Sequence, residues 1–422
     1  MRSLAAAAAA SLLAVFLSWS AQAAEPPLPM AVPEAVGLSS ERLARIGAAV
    51  QADIDAGRIP GAVVAVARRG RLAYYEAFGF RDKAAGAPMG KDAIFPIASM
   101  TKPMTSVAVM MLSEEGRLFA SDPIGRYLPP LGRMQVAVQK KGADGQDLVE
   151  TVPARRPVTV QDLLRHTSGI VYGGAATTPV HKLYPLSSGF SGRTMTTAEF
   201  VDRLGGLPLV HQPGTVWEYS LSVDVLGALV EGISGKSLGG FLAERVWAPL
   251  GMADTSFTVP ADKHSRIAQP LATDPDTGRP PITLDLTRPL KMECGGGCAA
   301  STAGDYVRFV QMLLNRGTLD GRQILSPKTV EYMAADHLGE ISTGRLSPGY
   351  GFGLGFAVRR SQGVAGLTGS VGDYYWNGAY GTLFWIDPAE DLAVVFMAHT
   401  PGPARLHYRK LLPTLVNQAI VD

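Results

Sequence analysis

The chain is 422 residues long, with 39 basic and 37 acidic residues spread along it for a net charge of +2, and only two cysteines. That balance excludes a basic nucleic-acid surface and a polybasic membrane patch.

Arg2, the apolar run Leu4–Leu17 and Ala21-Gln22-Ala23 read as a secretion signal cleaved after Ala23. No later stretch reaches the roughly 18 consecutive apolar residues of a spanning helix. The expectation is an exported protein, periplasmic or secreted, with no stable membrane insertion once residues 1–23 are removed. The remainder exceeds what one hydrophobic core usually supports, so more than one domain is expected.

Ser39 is placed to cap a helix whose Leu43, Ile46, Val50 and Ile54 fall on one face. Residues 61–70 and 71–80 read as two strands joined at Gly70. IASMTKPMTS, 97–106, opens a helix that continues through VAVMMLSEEG and stops at Gly116. From about 120 to 290, helical segments at 159–167, 196–204 and 222–233 alternate with loops rich in Pro and Gly. Strands return at 350–360, 381–388 and 391–399, followed by a terminal helix from about Ala404. Strand-rich ends around a helical middle predict an α+β fold: an antiparallel sheet flanked by helices and built from both ends of the chain, 24–120 and 290–422, with a mainly helical domain, 121–289, inserted.

A serine hydroxyl needs a base within reach to become a nucleophile. Ser99 and Lys102 are nearly one helical turn apart and so share a face, and no other serine has lysine at the third following position. Spacing alone does not separate a nucleophile and its partner from a helix cap and a solvated amine. Gly235-Lys236-Ser237-Leu238-Gly239 matches a G-x-S-x-G elbow, but a helical segment enters it where a strand is required, so Ser237 reads as the cap of the next helix. His166 has no assignable acid partner and reads as part of the turn opened by Ser168-Gly169. The histidines show no metal-ligand spacing. Cys294 and Cys298 bracket three glycines; in an exported protein they form either a disulfide closing that loop or two free thiols, and alone they make half a zinc site.

Three stretches in order resemble the serine β-lactamase and penicillin-binding-protein superfamily, in its class C-like branch. Ser99-Met100-Thr101-Lys102 is similar to the first motif, Tyr219 in PGTVWEYSLSVDVLG to the second, and Trp376-Asn377-Gly378 to the third, which is normally Lys-Thr-Gly on an edge strand. LLRHTSGI, APLGMADTSF and CAASTAGDYVRFVQMLL add to the resemblance. It implies a β-lactamase-like fold and an acyl-enzyme on Ser99, with Lys102 and Tyr219 sharing proton transfer and the backbone N–H groups of Ser99 and Ala379 forming the oxyanion hole. No cofactor or metal is implied. Leu221 stands where class C enzymes carry a substrate-binding Asn, and Trp376 where they carry Lys. Trp-x-Gly resembles the family VIII carboxylesterases, so the implied substrate is a small ester held by Trp376, Asn377, Gly378, Leu221 and Tyr375. Amide-directed activity, as a β-lactamase or D-Ala-D-Ala peptidase, and non-catalytic ligand binding are the other readings. Oligomeric state is not written in these motifs.

Overall fold

The computed structural model describes residues 26–141, 147–175 and 177–422; the expected secretion signal lies outside them. Ser39 Oγ accepts from Arg42 N at 3.3 Å and starts helix α1, Ser40–Asp55, which buries Leu43, Ile46, Val50 and Ile54. Strands β1, Gly61–Arg68, β2, Arg71–Asp82, and β3, Ala87–Pro88, follow, then helix α2, Thr101–Glu114. The middle of the chain carries strands β4, Gln135–Lys141, and β5, Asp147–Pro153, and helices α3, Val160–Leu164, α4, Thr197–Gly205, α5, Ser222–Ser234, and α6, Leu238–Leu242. The last part carries helix α7, Ala303–Leu314, strands β6, Tyr350–Phe352, β7, Ala357–Arg359, β8, Tyr374–Asn377, β9, Leu383–Asp387, and β10, Leu392–Ala398, and helix α8, Ala404–Asn417.

The main sheet has eight strands in the order β6-β7-β8-β9-β10-β1-β2-β3, and the pairs are antiparallel. Its two halves meet where β1 pairs with β10, from Ala62 opposite Ala398 to Arg68 opposite Leu392. The sheet is therefore built from both ends of the chain, as expected. Side chains alternate across it with period two. Val63, Ala65, Phe384, Val395 and Met397 join the core shared with α2 and α7, while Val64, Val66, Trp385, Val394 and Phe396 join the core under α1 and α8. With both faces covered, β1, β9 and β10 are buried along their whole length.

Two local expectations change. The segment 350–360 is not one strand but the hairpin β6–β7, because the chain reverses at Gly353–Phe356 with Gly355 at φ 114°. The middle region is not purely helices and loops, since β4 and β5 pair from Gln135 opposite Pro153 to Lys141 opposite Asp147. Thr159 and Thr196 each form a capping box, with Asp162 and Glu199. Thr196→Ala is expected to destabilise the protein by about 1 kcal/mol. A thermal melt should show a small drop in Tm, with turnover per folded molecule unchanged.

Candidate active site

Ser99 sits in a single 3-10 turn, Ala98–Met100, that feeds directly into α2. Ala98 is held at φ 44°, a left-handed conformation that costs a residue with a Cβ about 1 kcal/mol or more and survives only where the surroundings enforce it. They do so here. Ile97 N donates to Ala299 O at 3.0 Å, Thr101 Oγ1 donates to Ala98 O at 2.7 Å and accepts from Ala299 N at 3.1 Å, and Tyr306 OH donates to Met100 O at 2.8 Å. Short strands Phe95–Pro96 and Ala300–Ser301 pair just outside these contacts. The turn leaves Ser99 partly exposed while its neighbours on both sides are buried.

Lys102 points back along α2 and is fully buried. Its ammonium has three donors and three partners: Ser99 Oγ at 3.4 Å, Tyr172 OH at 3.2 Å and Gly296 O at 2.5 Å. It also lies 4.5 Å from the centre of the Tyr219 ring. Burial alone would make the amine easier to deprotonate, but the Tyr172 and Tyr219 hydroxyls and the Asp224 carboxylate outweigh it and hold the ammonium above the usual lysine range. Asp224, buried in α5, is itself pushed up by desolvation, although Lys102, Ser188 and Gly296 draw it back part of the way. It accepts from Ser188 Oγ at 2.8 Å and Gly296 N at 2.9 Å. Because Ser188 spends its proton on Asp224, the 3.0 Å contact between Tyr172 OH and Ser188 Oγ has the phenol as donor. Burial pushes the Tyr172 phenol well above its ordinary range, and Lys102 only partly offsets this. Tyr172 is thus a neutral bridge between lysine and carboxylate.

Tyr219 approaches from the segment before α5. The Trp376 indole Nε1–H donates to its hydroxyl oxygen at 3.2 Å, and the two rings lie 5.2 Å apart. Trp376 is therefore more than an aromatic wall: it directs a donor at the tyrosine oxygen, a role the motif comparison had not suggested. The His166 ring lies 4.7 Å from that of Tyr219, tilted by 51°. Its Nδ1 meets Ser220 Oγ at 3.2 Å and burial holds it neutral, so it serves as packing in the turn. Ser237 Oγ accepts from Gly240 N at 3.1 Å and caps α6, as expected of it.

Gly378 brings the third motif onto the turn that carries Ser99. A Cβ there would stand 2.2 Å from Thr382 Oγ1 and 2.5 Å from Ile97 O. Only glycine allows the approach. Ala379 next to it is exposed, and its N–H donates to no backbone acceptor among the described residues.

The remaining candidates are placed elsewhere. Tyr375 and Asn377 alternate away from Trp376, onto the face that carries Leu383 and Trp385, and line a cavity of about 590 Å³ with Tyr350 and Arg409. Leu221 is fully buried at the start of α5 and offers no surface to a ligand, because its side chain completes the core where an Asn would face the cleft. Cys294 and Cys298 are joined as a disulfide, Cα atoms 5.4 Å apart, behind Lys102. Sequence reasoning missed Tyr172, Ser188, Asp224 and Gly296. The one signal for Asp224 was a carboxylate in the otherwise apolar SVDVLGALV.

Gly378→Ala is expected to cut kcat/KM for a chromogenic short-chain ester about 100-fold by moving the third motif away from Ser99. Steady-state kinetics beside a thermal melt check this, and a folded variant with unchanged turnover would refute it.

Known proteins match this chain over most of its length. The chain is 39% identical over 371 residues to Protein Rv1367c of Mycobacterium tuberculosis, covering 84% of this chain and 89% of that one. It is 31% identical over 391 residues to Esterase EstB of Burkholderia gladioli, covering 87% and 93%. Among solved structures it is similar to EstCE1, described as a hydrolase with promiscuous acyltransferase activity, with a TM-score of 0.72, 27% identity, and 90% and 99% of the two chains covered. The Beta-lactamase family model matches residues 46–416. With most of its length matched and the mixed sheet-and-helix fold in common, this chain belongs to the beta-lactamase family of serine hydrolases.

Proposed function

We propose that the protein is a carboxylesterase that works through an acyl-enzyme on Ser99. The observation that carries this reading is the buried Lys102 ammonium in contact with both Ser99 Oγ and Tyr172 while facing the Tyr219 ring. Its surroundings keep Lys102 charged, so it acts as a fixed cation rather than as the base. Tyr219, whose ring faces that cation and whose oxygen accepts from the Trp376 indole N–H, is the group that takes the Ser99 proton.

Ser99 Oγ then attacks the ester carbonyl carbon, and the oxyanion is met by the backbone N–H groups of Ser99 and Ala379. The proton on Tyr219 passes to the leaving alcohol as the tetrahedral intermediate collapses. Water deprotonated by the same tyrosine hydrolyses the acyl-enzyme and restores Ser99.

Ester is preferred over β-lactam for two reasons. The third motif has an indole in place of an ammonium, and that indole is already committed to Tyr219. The Asn that would hold an amide side chain is replaced by the buried Leu221. Both changes remove polar anchors for a β-lactam or a D-Ala-D-Ala terminus. The names of Esterase EstB and of Lovastatin esterase from Penicillium rubens, 27% identical over 373 residues, support the ester assignment. Export after loss of residues 1–23 belongs to the same proposal, and so does a small-molecule substrate in place of a macromolecular partner.

The test is a side-by-side panel of short-chain and long-chain acyl esters, cephalosporins and D-Ala-D-Ala peptides with wild type and Ser99→Ala. Ester turnover is expected to exceed the others in kcat/KM and to vanish in the variant. Cephalosporin or peptide turnover above ester turnover would move the protein to the amide-directed branch, and full activity in Ser99→Ala would remove the nucleophile. Trp376→Phe keeps an aromatic ring and deletes the N–H, and is expected to lower kcat/KM about 10-fold, the cost of one lost hydrogen bond of about 1.4 kcal/mol. Unchanged kinetics in that variant would show that the indole donor takes no part.

A further inference from the structure

The loop Cys294-Gly295-Gly296-Gly297-Cys298 lies against the nucleophile helix, and three of its connections reach that helix. Thr105 Oγ1 donates to Gly295 O at 3.0 Å, Lys102 Nζ donates to Gly296 O at 2.5 Å, and just past the second cysteine Ala299 N donates to Thr101 Oγ1 at 3.1 Å. On its other side the Gly296 N–H donates to Asp224 Oδ1 at 2.9 Å. One residue, through its N–H on one side and its C=O on the other, thus links the Lys102 ammonium and the buried carboxylate. The loop fits too tightly to carry side chains there: a Cβ on Gly295 would be 2.7 Å from Val223 O, and one on Gly296 would be 2.4 Å from Asp224 Oδ2.

Three successive glycines, however, have no preferred conformation of their own and lose more entropy on ordering than any other residues. Within the loop the backbone bond is a single one, Gly297 N to Cys294 O at 3.2 Å. The loop ends are fixed by the disulfide, both of whose cysteines are fully buried. Its sulfurs rest on Gly192, where a Cβ would be 3.2 Å from Cys294 Sγ and 3.3 Å from Cys298 Sγ. Gly192 and Ser188 belong to the same short helix, Ser188–Thr194, so the crosslink bears on the helix that supplies the Asp224 partner.

We propose that the Cys294–Cys298 disulfide is a positioning device for Lys102: it holds the Gly296 carbonyl against the ammonium and so aligns that charge with Ser99 and Tyr219. The inference rests on the reading of Ser99, Lys102 and Tyr219 as the acylation machinery. The cysteines and Gly296 are positioning residues, since none of them touches substrate. A buried ammonium deprived of one of three acceptors moves toward the other two or draws in water. Either change alters the first chemical step more than it alters ester binding.

The experiment is stopped-flow measurement of the p-nitrophenol burst with p-nitrophenyl butyrate, in which the saturating burst rate gives acylation and its half-saturation gives binding. Cys294→Ser/Cys298→Ser and, separately, Gly296→Ala with the disulfide intact are compared with wild type, each beside a thermal melt. The expected result is an acylation rate at least 10-fold lower in both, with half-saturation within about twofold of wild type. Folded variants that acylate at the wild-type rate, or that lose only binding, would overturn the inference. If the double serine variant does not fold, Cys294→Ala/Cys298→Ala, which places no hydroxyl in the buried site, takes its place. Ser99→Ala in the same assay separates the two failures. A burst that persists in it defeats the assignment of the nucleophile, whereas a burst lost there but unchanged in the loop variants defeats only the positioning role.

Discussion

The structure around the site depends on a single constraint: one positive charge, Lys102, is buried completely in the core of the protein. An unpartnered ammonium in such a place would cost many kcal/mol or lose its proton. Every feature of the neighbourhood answers that constraint. The Gly296 carbonyl, the Tyr172 hydroxyl and Ser99 Oγ take its three protons, and Asp224 supplies the nearby negative charge through Ser188 and the Gly296 peptide. The partners come from four separate parts of the chain, so the charge can be satisfied only when the sheet domain and the helical segments have come together correctly. The same arrangement that makes the lysine tolerable also places a cation beside Ser99 and the Tyr219 ring.

The sheet supplies the precision. Ser99 is held by a turn strained at Ala98, braced from Ala299, Thr101 and Tyr306, and the third motif reaches it through a glycine with no room for a methyl group. The third motif lies at the end of β8, which pairs with β9 and through it with the fully buried β10 and β1. Trp376 and Tyr375 are adjacent in sequence but lie on opposite faces of that strand, so only the first can influence the proton on Tyr219. Period-two alternation thus sorts the third motif into one residue that donates to Tyr219 and neighbours that line a separate cavity.

Much of the fold was legible because its signals are local and repetitive. The α1 face, the strand pair after it and the Gly116 stop follow from spacing and from Gly, Ser and Thr at element ends. The β6–β7 hairpin was not, because GFGLGF gives the same alternation whether the chain runs straight or reverses at Gly355. The hairpin β4–β5 was hidden by a polar, Lys-rich pattern inside a region of helices and loops. In the site, Ser99, Lys102 and Tyr219 were legible as motifs in order, while their supporting residues were not. Tyr172 and Gly296 sit in loops and Ser188 at the start of a short helix; their meeting around Lys102 is a property of the tertiary structure, and nothing in their local sequence marks them.

The central claim is that the lysine-charged environment makes Ser99, and no other serine, a nucleophile. It is tested most directly by treating the folded protein with an activated alkyl phosphonate ester and locating the adduct by mass spectrometry of its peptides. The account predicts one phosphonyl group per chain, on Ser99 in IASMTKPMTS. A folded protein that gains no adduct, or gains it on Ser237, would contradict it.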